Sequence, residues 1–166
     1  MSEKNLNDNK KEIMRRLIKI RAGLIMHYPF YGNLLMHLSF ALEKCETACT
    51  DMKRIIFDPE FLERLTDEEV EFVMCHELMH CVLKHCERNK GFNKVIYNIA
   101  ADIVVNSNIM RSMNKRSFIV DGEEAIHRIP FEDEGYNYTA EQVYDMLINH
   151  YDEIDALSNN MDNHDI

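Results

Sequence analysis

His76-Glu77-Leu78-Met79-His80 places two imidazoles and a carboxylate within five consecutive residues. If the segment is helical, positions i and i+4 share one face, so both rings can reach a single metal ion. Glu77 follows at about 100° around the helix, where it flanks that face and can touch a water held by the ion. This is the donor set of hydrolytic zinc chemistry, in which the ion activates water and a carboxylate moves the proton. Phe72, Val73 and Met74 precede the motif and Val82 and Leu83 follow it. Such neighbours imply burial, and buried imidazoles and carboxylates are costly unless something ligates them. The plainer alternatives are a solvated histidine pair and a metal-free core helix.

A zinc site open to water needs a third protein ligand. Asp102 is the favoured candidate. It lies within Val95-Ile96-Tyr97-Asn98-Ile99-Ala100-Ala101-Asp102-Ile103-Val104-Val105-Asn106, an apolar run in which Asn98, Asp102 and Asn106 recur every four residues as one polar stripe. Ala100 and Ala101 would let a neighbouring helix come close. An Asp paired with a core Arg or Lys is the competing reading. His85 is nearer in sequence, but on a continuous helix it stands about 140° from His80 and is expected at the surface or behind the ligands. His127, on an irregular stretch, stays open as a third candidate.

These residues need elements to position them. Ile13, Leu17, Ile20 and Leu24 recur at helical spacing from about Lys10 to Tyr28, and residues 1–9 read as a loose polar start. Leu34 to Leu42 alternates with period two and reads as a strand, as does Thr50 to Phe57; the two are expected to pair as an antiparallel hairpin. Thr66 and Glu69 form a capping-box signature that opens the motif helix, which is expected to run to about Arg88 before Gly91. A further helix is expected from about Lys94 to Met113, an irregular stretch from Asn114 to Tyr138, and a last helix from Thr139 to about Tyr151. The whole reads as an α+β domain over 10–151, mostly helical with a small antiparallel sheet, followed by an acidic tail over 152–166 that is expected to be disordered.

Length and composition bound the possibilities. A chain of 166 residues suits one domain with a real core. A net charge of −10 argues against nucleic acid and anionic membranes as partners, since both need basic patches. The most apolar N-terminal stretch is interrupted by Lys19, Arg21 and His27, too soon for a membrane span, and no secretory signal is read at the start. The expected compartment is the cytoplasm. The odd number of cysteines, five, fits reduced thiols better than a disulfide framework, and Cys45 and Cys49 lack the second pair that a zinc ribbon needs.

Taken together, the motifs resemble those of the metallopeptidase domain found in bacteria ahead of a von Willebrand factor A-like domain. The resemblance rests on Pro29-Phe30-Tyr31-Gly32, Thr50-Asp51, Asp58-Pro59-Glu60-Phe61-Leu62, the His76 to His80 motif, Asn98 to Asn106, and Tyr138-Thr139-Ala140-Glu141-Gln142-Val143-Tyr144. It spans about Leu17 to Tyr151. Two departures are Tyr97, where tryptophan is common, and Met52, where glycine is common. The resemblance implies a zincin-like fold, with a small sheet against the motif helix and the third ligand on the following helix. The spacing from His80 to Asp102 is similar to that of gluzincins, with an aspartate in place of a glutamate and therefore a shorter reach. The strand near Met52 to Phe57 would be the edge along which an extended peptide lies.

The implied activity is hydrolysis of a peptide bond in a peptide or protein substrate. Zn(2+) is the cofactor, held by His76, His80 and Asp102, with Glu77 as general base and Asn98 and Asn106 orienting the ligands. His127, Tyr136 and Tyr138 are candidate oxyanion donors. The alternative is a zinc-binding module without turnover that serves a partner protein or a downstream A-like domain. It wins if His85 or His127 closes the fourth position at the ion.

Overall fold

The motif helix begins where its capping box requires. In the computed structural model, which describes residues 3–129 and 133–150, Thr66 N donates to Glu69 Oε2 at 2.7 Å and Glu69 N donates to Thr66 Oγ1 at 3.2 Å. The chain divides into two units, Met1–Leu78 and Met79–Ile166, and the division falls inside this continuous helix.

The first unit contains α1 (Glu3–His27), α2 (Pro29–Leu35), β1 (Ser39–Leu42), β2 (Ala48–Thr50), β3 (Arg54–Phe57), α3 (Pro59–Arg64) and the start of α4 (Asp67–Val82). Helix α1 buries Ile13, Leu17, Ile20 and Leu24, the stripe read from the sequence. It starts at Glu3 rather than near Lys10, with nearly all of its first two turns exposed. Arg16 fastens it to the entry of α4. Its guanidinium donates to Asp67 Oδ1 at 2.8 Å, to Leu62 O at 2.9 Å and to Leu65 O at 2.8 Å.

The strand expected from Leu34 to Leu42 is corrected. Residues 29–35 are helical and only Ser39–Leu42 is a strand. Pro29 is well placed at a helix start because its missing N–H is not needed there. Tyr31 and Leu35 are both buried, at the spacing of one helical turn. A short apolar run carries period two and period 3.6 almost equally well. Pairing is corrected too. β1 runs parallel to β3, and the antiparallel partner of β3 is β2, in the order β1-β3-β2. Thus β3 is the central strand and not the peptide-receiving edge; β2 is an edge.

The β2–β3 turn explains why one expected strand became two. Asp51 Oδ1 accepts from Lys53 N at 3.0 Å and Arg54 N at 2.7 Å, and Met52 takes a φ of 75°. Asp and Asn favour such turns because the side chain mimics a backbone acceptor. The two backbone donors, then the Arg54 side chain, hold the Asp51 carboxyl down to about 2. After β3, Asp58 caps α3 by accepting from Phe61 N at 3.1 Å, and it also accepts from Cys45 N at 3.0 Å.

The second unit contains the end of α4, then α5 (His85–Arg88), α6 (Lys94–Ser112), β4 (Ile119–Val120), β5 (Glu123–Glu124), a 3-10 turn (Gly135–Asn137) and α7 (Ala140–Asn149). The motif helix does not reach Arg88. It ends at Val82, and Lys84 adopts a left-handed φ of 55° that turns the chain into α5. Helix α6 starts on an Asn93 cap and α7 on a Thr139–Gln142 capping box. Between them Asp121-Gly122, both with positive φ, close a two-residue hairpin, the turn that this dipeptide favours. Ile99, Ala100, Ile103 and Val104 of α6 pack with Ile129 and with Val143 and Leu147 of α7.

The architecture is thus α+β and mostly helical, with small sheets. None of the five cysteines, all among the described residues, forms a disulfide. No helix among the described residues is long and apolar enough to cross a membrane. The acidic tail expected from 152 lies outside the described residues.

Gly135 lets the 3-10 turn lie against α6 one residue beyond Asp102. A Cβ there would stand 2.6 Å from the Ile103 carbonyl oxygen and 2.8 Å from its side chain. Gly135→Ala is therefore expected to destabilise the protein by ~1–3 kcal/mol, the usual cost of overpacking. Urea unfolding measures this, and a midpoint equal to wild type would contradict it.

Candidate metal centre

Helix α4 is buried from Phe72 to Met79 without a break, so the motif lies on a helix apolar almost all round. His76 is 4% exposed and Glu77 8%. One turn on, His80 is only partly covered, as the helix nears its end. On α6, Asp102 is 6% exposed, amid Ala100, Ala101 and Ile103, which are buried more completely.

His76, His80 and Asp102 form a group in which one ligand atom from each lies within 4.8 Å of the others. Within it, His80 Nε2 and Asp102 Oδ1 are 3.0 Å apart. Ligands at ~2.0–2.2 Å from one tetrahedral zinc stand about 3.4 Å from each other, a spacing comparable to that of this group. Two imidazoles and one carboxylate are a donor set that zinc accepts. Neither His85 nor His127 belongs to the group.

Of the two positions expected for His85, the surface or behind His80, the structure has it in the second. The turn at Lys84 brings it back, so it is 4% exposed, with its Nδ1 3.0 Å from His80 Nδ1. Burial first, then the neighbouring His80 and Arg88, push its pKa down to about 4, so the ring is neutral at pH 7. No glycine lies between His80 and His85 to make this turn; Lys84 makes it. A left-handed lysine has no comparable sequence signal.

The remaining candidates scatter. Asn98 is exposed. Asn106 is buried and donates to Ile126 O at 3.0 Å, tying α6 to the segment after β5. His127 Nδ1 lies 3.1 Å from Glu134, and Arg111 stacks 4.4 Å over the Tyr136 ring; all four residues line a separate concavity of about 520 Å³. Tyr138 donates to Asp133 at 2.8 Å, which raises its pKa.

Glu77 influences the sheet. The Cys49 thiol, in the middle of β2, is raised first by burial and next by the Glu77 charge. The charge of the general-base candidate is thus felt on an edge strand.

Behind His85, Arg88 donates to both carboxylate oxygens of Glu141, at 2.8 Å through Nε and also through Nη2, and to Leu83 O at 2.9 Å. Tyr97 donates to Glu141 Oε1 at 3.1 Å and meets the His85 ring edge-on, centroids 6.1 Å apart. These contacts tie α5 to α6 and α7.

A family profile described as "putative metallopeptidase domain" matches residues 12–165. A search of curated proteins finds no match.

Burial alone would raise the Glu141 carboxyl, but hydrogen bonds from Arg88 and Tyr97 and the Arg88 charge outweigh it and hold the pKa below its ordinary 4.5. A depressed carboxylate contributes stability above its unfolded pKa and loses it as pH falls through the folded one. Glu141→Gln should therefore unfold at lower urea than wild type at pH 7. The gap should narrow as pH falls below 4.5. A gap independent of pH would refute the assignment.

Proposed function

We propose that this chain, which belongs to the family described as a putative metallopeptidase domain, is a zinc-dependent peptidase with Glu77 as its general base. His76, His80 and Asp102 would hold the ion. The observation that carries this reading is the convergence of those three ligand atoms, from two helices, within 4.8 Å of one another. Bound zinc supplies Lewis-acid polarisation of the scissile carbonyl and lowers the pKa of water toward neutrality.

The chain's own residues do the rest. Glu77 accepts a proton from the attacking water as its oxygen bonds to the carbonyl carbon. It then delivers that proton to the amine nitrogen as the C–N bond breaks, so one water becomes part of a carboxylate and an amine. Residues 72–79 are all buried, and Glu77 is 8% exposed, so its carboxylate is shielded from bulk solvent. An extended substrate added along β2 would run beside Glu77, whose charge reaches Cys49 on that strand. A closed zinc module without turnover would need a fourth protein ligand; the open reading is favoured because the group holds His76, His80 and Asp102 without His85 or His127.

Two measurements test the proposal. Glu77→Gln should retain stoichiometric zinc and lose ~10²–10⁴-fold in turnover of a quenched-fluorescence peptide library; undiminished cleavage would sink the general-base role. Zinc at 100 times its Kd should raise the melting temperature of chelator-stripped protein by roughly 5–10 °C. Asp102→Ala should abolish most of that rise. A wild-type protein indifferent to zinc would exclude the metal reading.

A further inference from the structure

We propose that His85 is a positioning residue that fixes which nitrogen of His80 faces the metal. The inference rests on the reading of His80 as a ligand.

His80 has two ring nitrogens with different neighbours. Nε2 lies 3.0 Å from Asp102 Oδ1, on the side of the metal group, and Nδ1 lies 3.0 Å from His85 Nδ1. To offer the Nε2 lone pair to a cation, neutral His80 must carry its proton on Nδ1. Two facing Nδ1 atoms share a hydrogen bond only when one is protonated and the other is bare. His80 Nδ1–H therefore donates to His85 Nδ1, and His85 carries its own proton on Nε2. That Nε2 is buried and has no hydrogen-bond partner among the described residues.

The arrangement is unfavourable on packing grounds alone. A buried N–H without a partner destabilises the fold. Lys84, which aims His85 inward, takes a left-handed conformation that a non-glycine residue adopts at a cost. A leucine at 85 would fill the space without the orphaned donor. Both local penalties are explained if the product is a bare Nδ1 held against His80. Tyr97 and the Arg88–Glu141 pair hold α5 in the place this requires. Outer partners of this kind fix the tautomer and ring orientation of a ligating histidine, and removing one typically weakens metal binding by 10–100-fold.

The test compares wild type, His85→Leu and His85→Asn. Zinc affinity is measured by competition with a chromophoric chelator, and urea unfolding is measured on zinc-free protein. The expectation is that His85→Leu binds zinc about 10–100-fold more weakly while its zinc-free stability is equal to or above wild type. His85→Asn, whose Oδ1 can stand where Nδ1 stood, should recover most of the affinity. The proposal is overturned if the leucine variant binds zinc like wild type, or if its affinity falls only in step with zinc-free stability. It is also overturned if asparagine rescues no better than leucine. Wild-type protein that binds no zinc overturns the peptidase reading and this inference together, whereas the other outcomes leave that reading standing.

Discussion

The burial of His76, Glu77 and Asp102 is the constraint on which the rest of the structure depends. Each is less than a tenth exposed, and each lies on a helix whose neighbours are apolar. Removing such groups from water costs several kcal/mol apiece unless a partner restores the lost solvation, roughly 2–7 kcal/mol for a neutral polar group and more for a charge. A fold that keeps them must give each a partner, and one ligand atom each of His76, His80 and Asp102 lie within 4.8 Å of one another. The short reach of aspartate tightens that demand, and Ala100 and Ala101, which precede Asp102, add little bulk to α6 beside it.

The surrounding elements follow from this demand. Helix α4 has to start at a defined residue, and the Thr66–Glu69 capping box together with the three-pronged Arg16 contact fix its start. Helix α6 has to hold its axial position, and Gly135 admits the 3-10 turn against the backbone at Ile103. Each device acts on the backbone, where a small shift would move a ligand atom by a comparable distance. Rigid elements thus carry the side chains proposed to hold the metal, an arrangement whose geometry tolerates such shifts poorly.

The end of α4 has a different logic. An uninterrupted helix to Arg88 would have left His85 about 140° away from His80. The left-handed turn at Lys84 puts the two rings 5.3 Å apart between centroids. The helix break, the buried imidazole and the Arg88–Glu141–Tyr97 contacts therefore form one local assembly attached to His80, a proposed ligand. None of the five cysteines is in a disulfide, and Cys75 is buried with its thiol pushed far up by desolvation.

By itself the sequence determined the features that depend on local chemistry. The capping boxes at Thr66 and Thr139, the buried stripe of α1, the span of α6, and the pairing of His76 with His80 one turn apart were all legible, because helix periodicity and capping are written within a few residues. So was Asp102, as a carboxylate in an apolar run. The Asp121-Gly122 hairpin carried a signal that went unread. Tertiary structure alone decided the rest. The segment from Pro29 to Leu35 is helical although Leu34 to Leu42 alternates, since burial of one helical face outweighed a weak pattern. β3 became the centre of the sheet because parallel and antiparallel partners depend on contacts between distant segments. His85 turned inward because a lysine adopted a conformation that no residue type at that position announces. The His-Glu-x-x-His motif marked one helix face as a candidate metal site; what stands opposite His80, Asp102 at one nitrogen and His85 at the other, is a matter of packing in three dimensions.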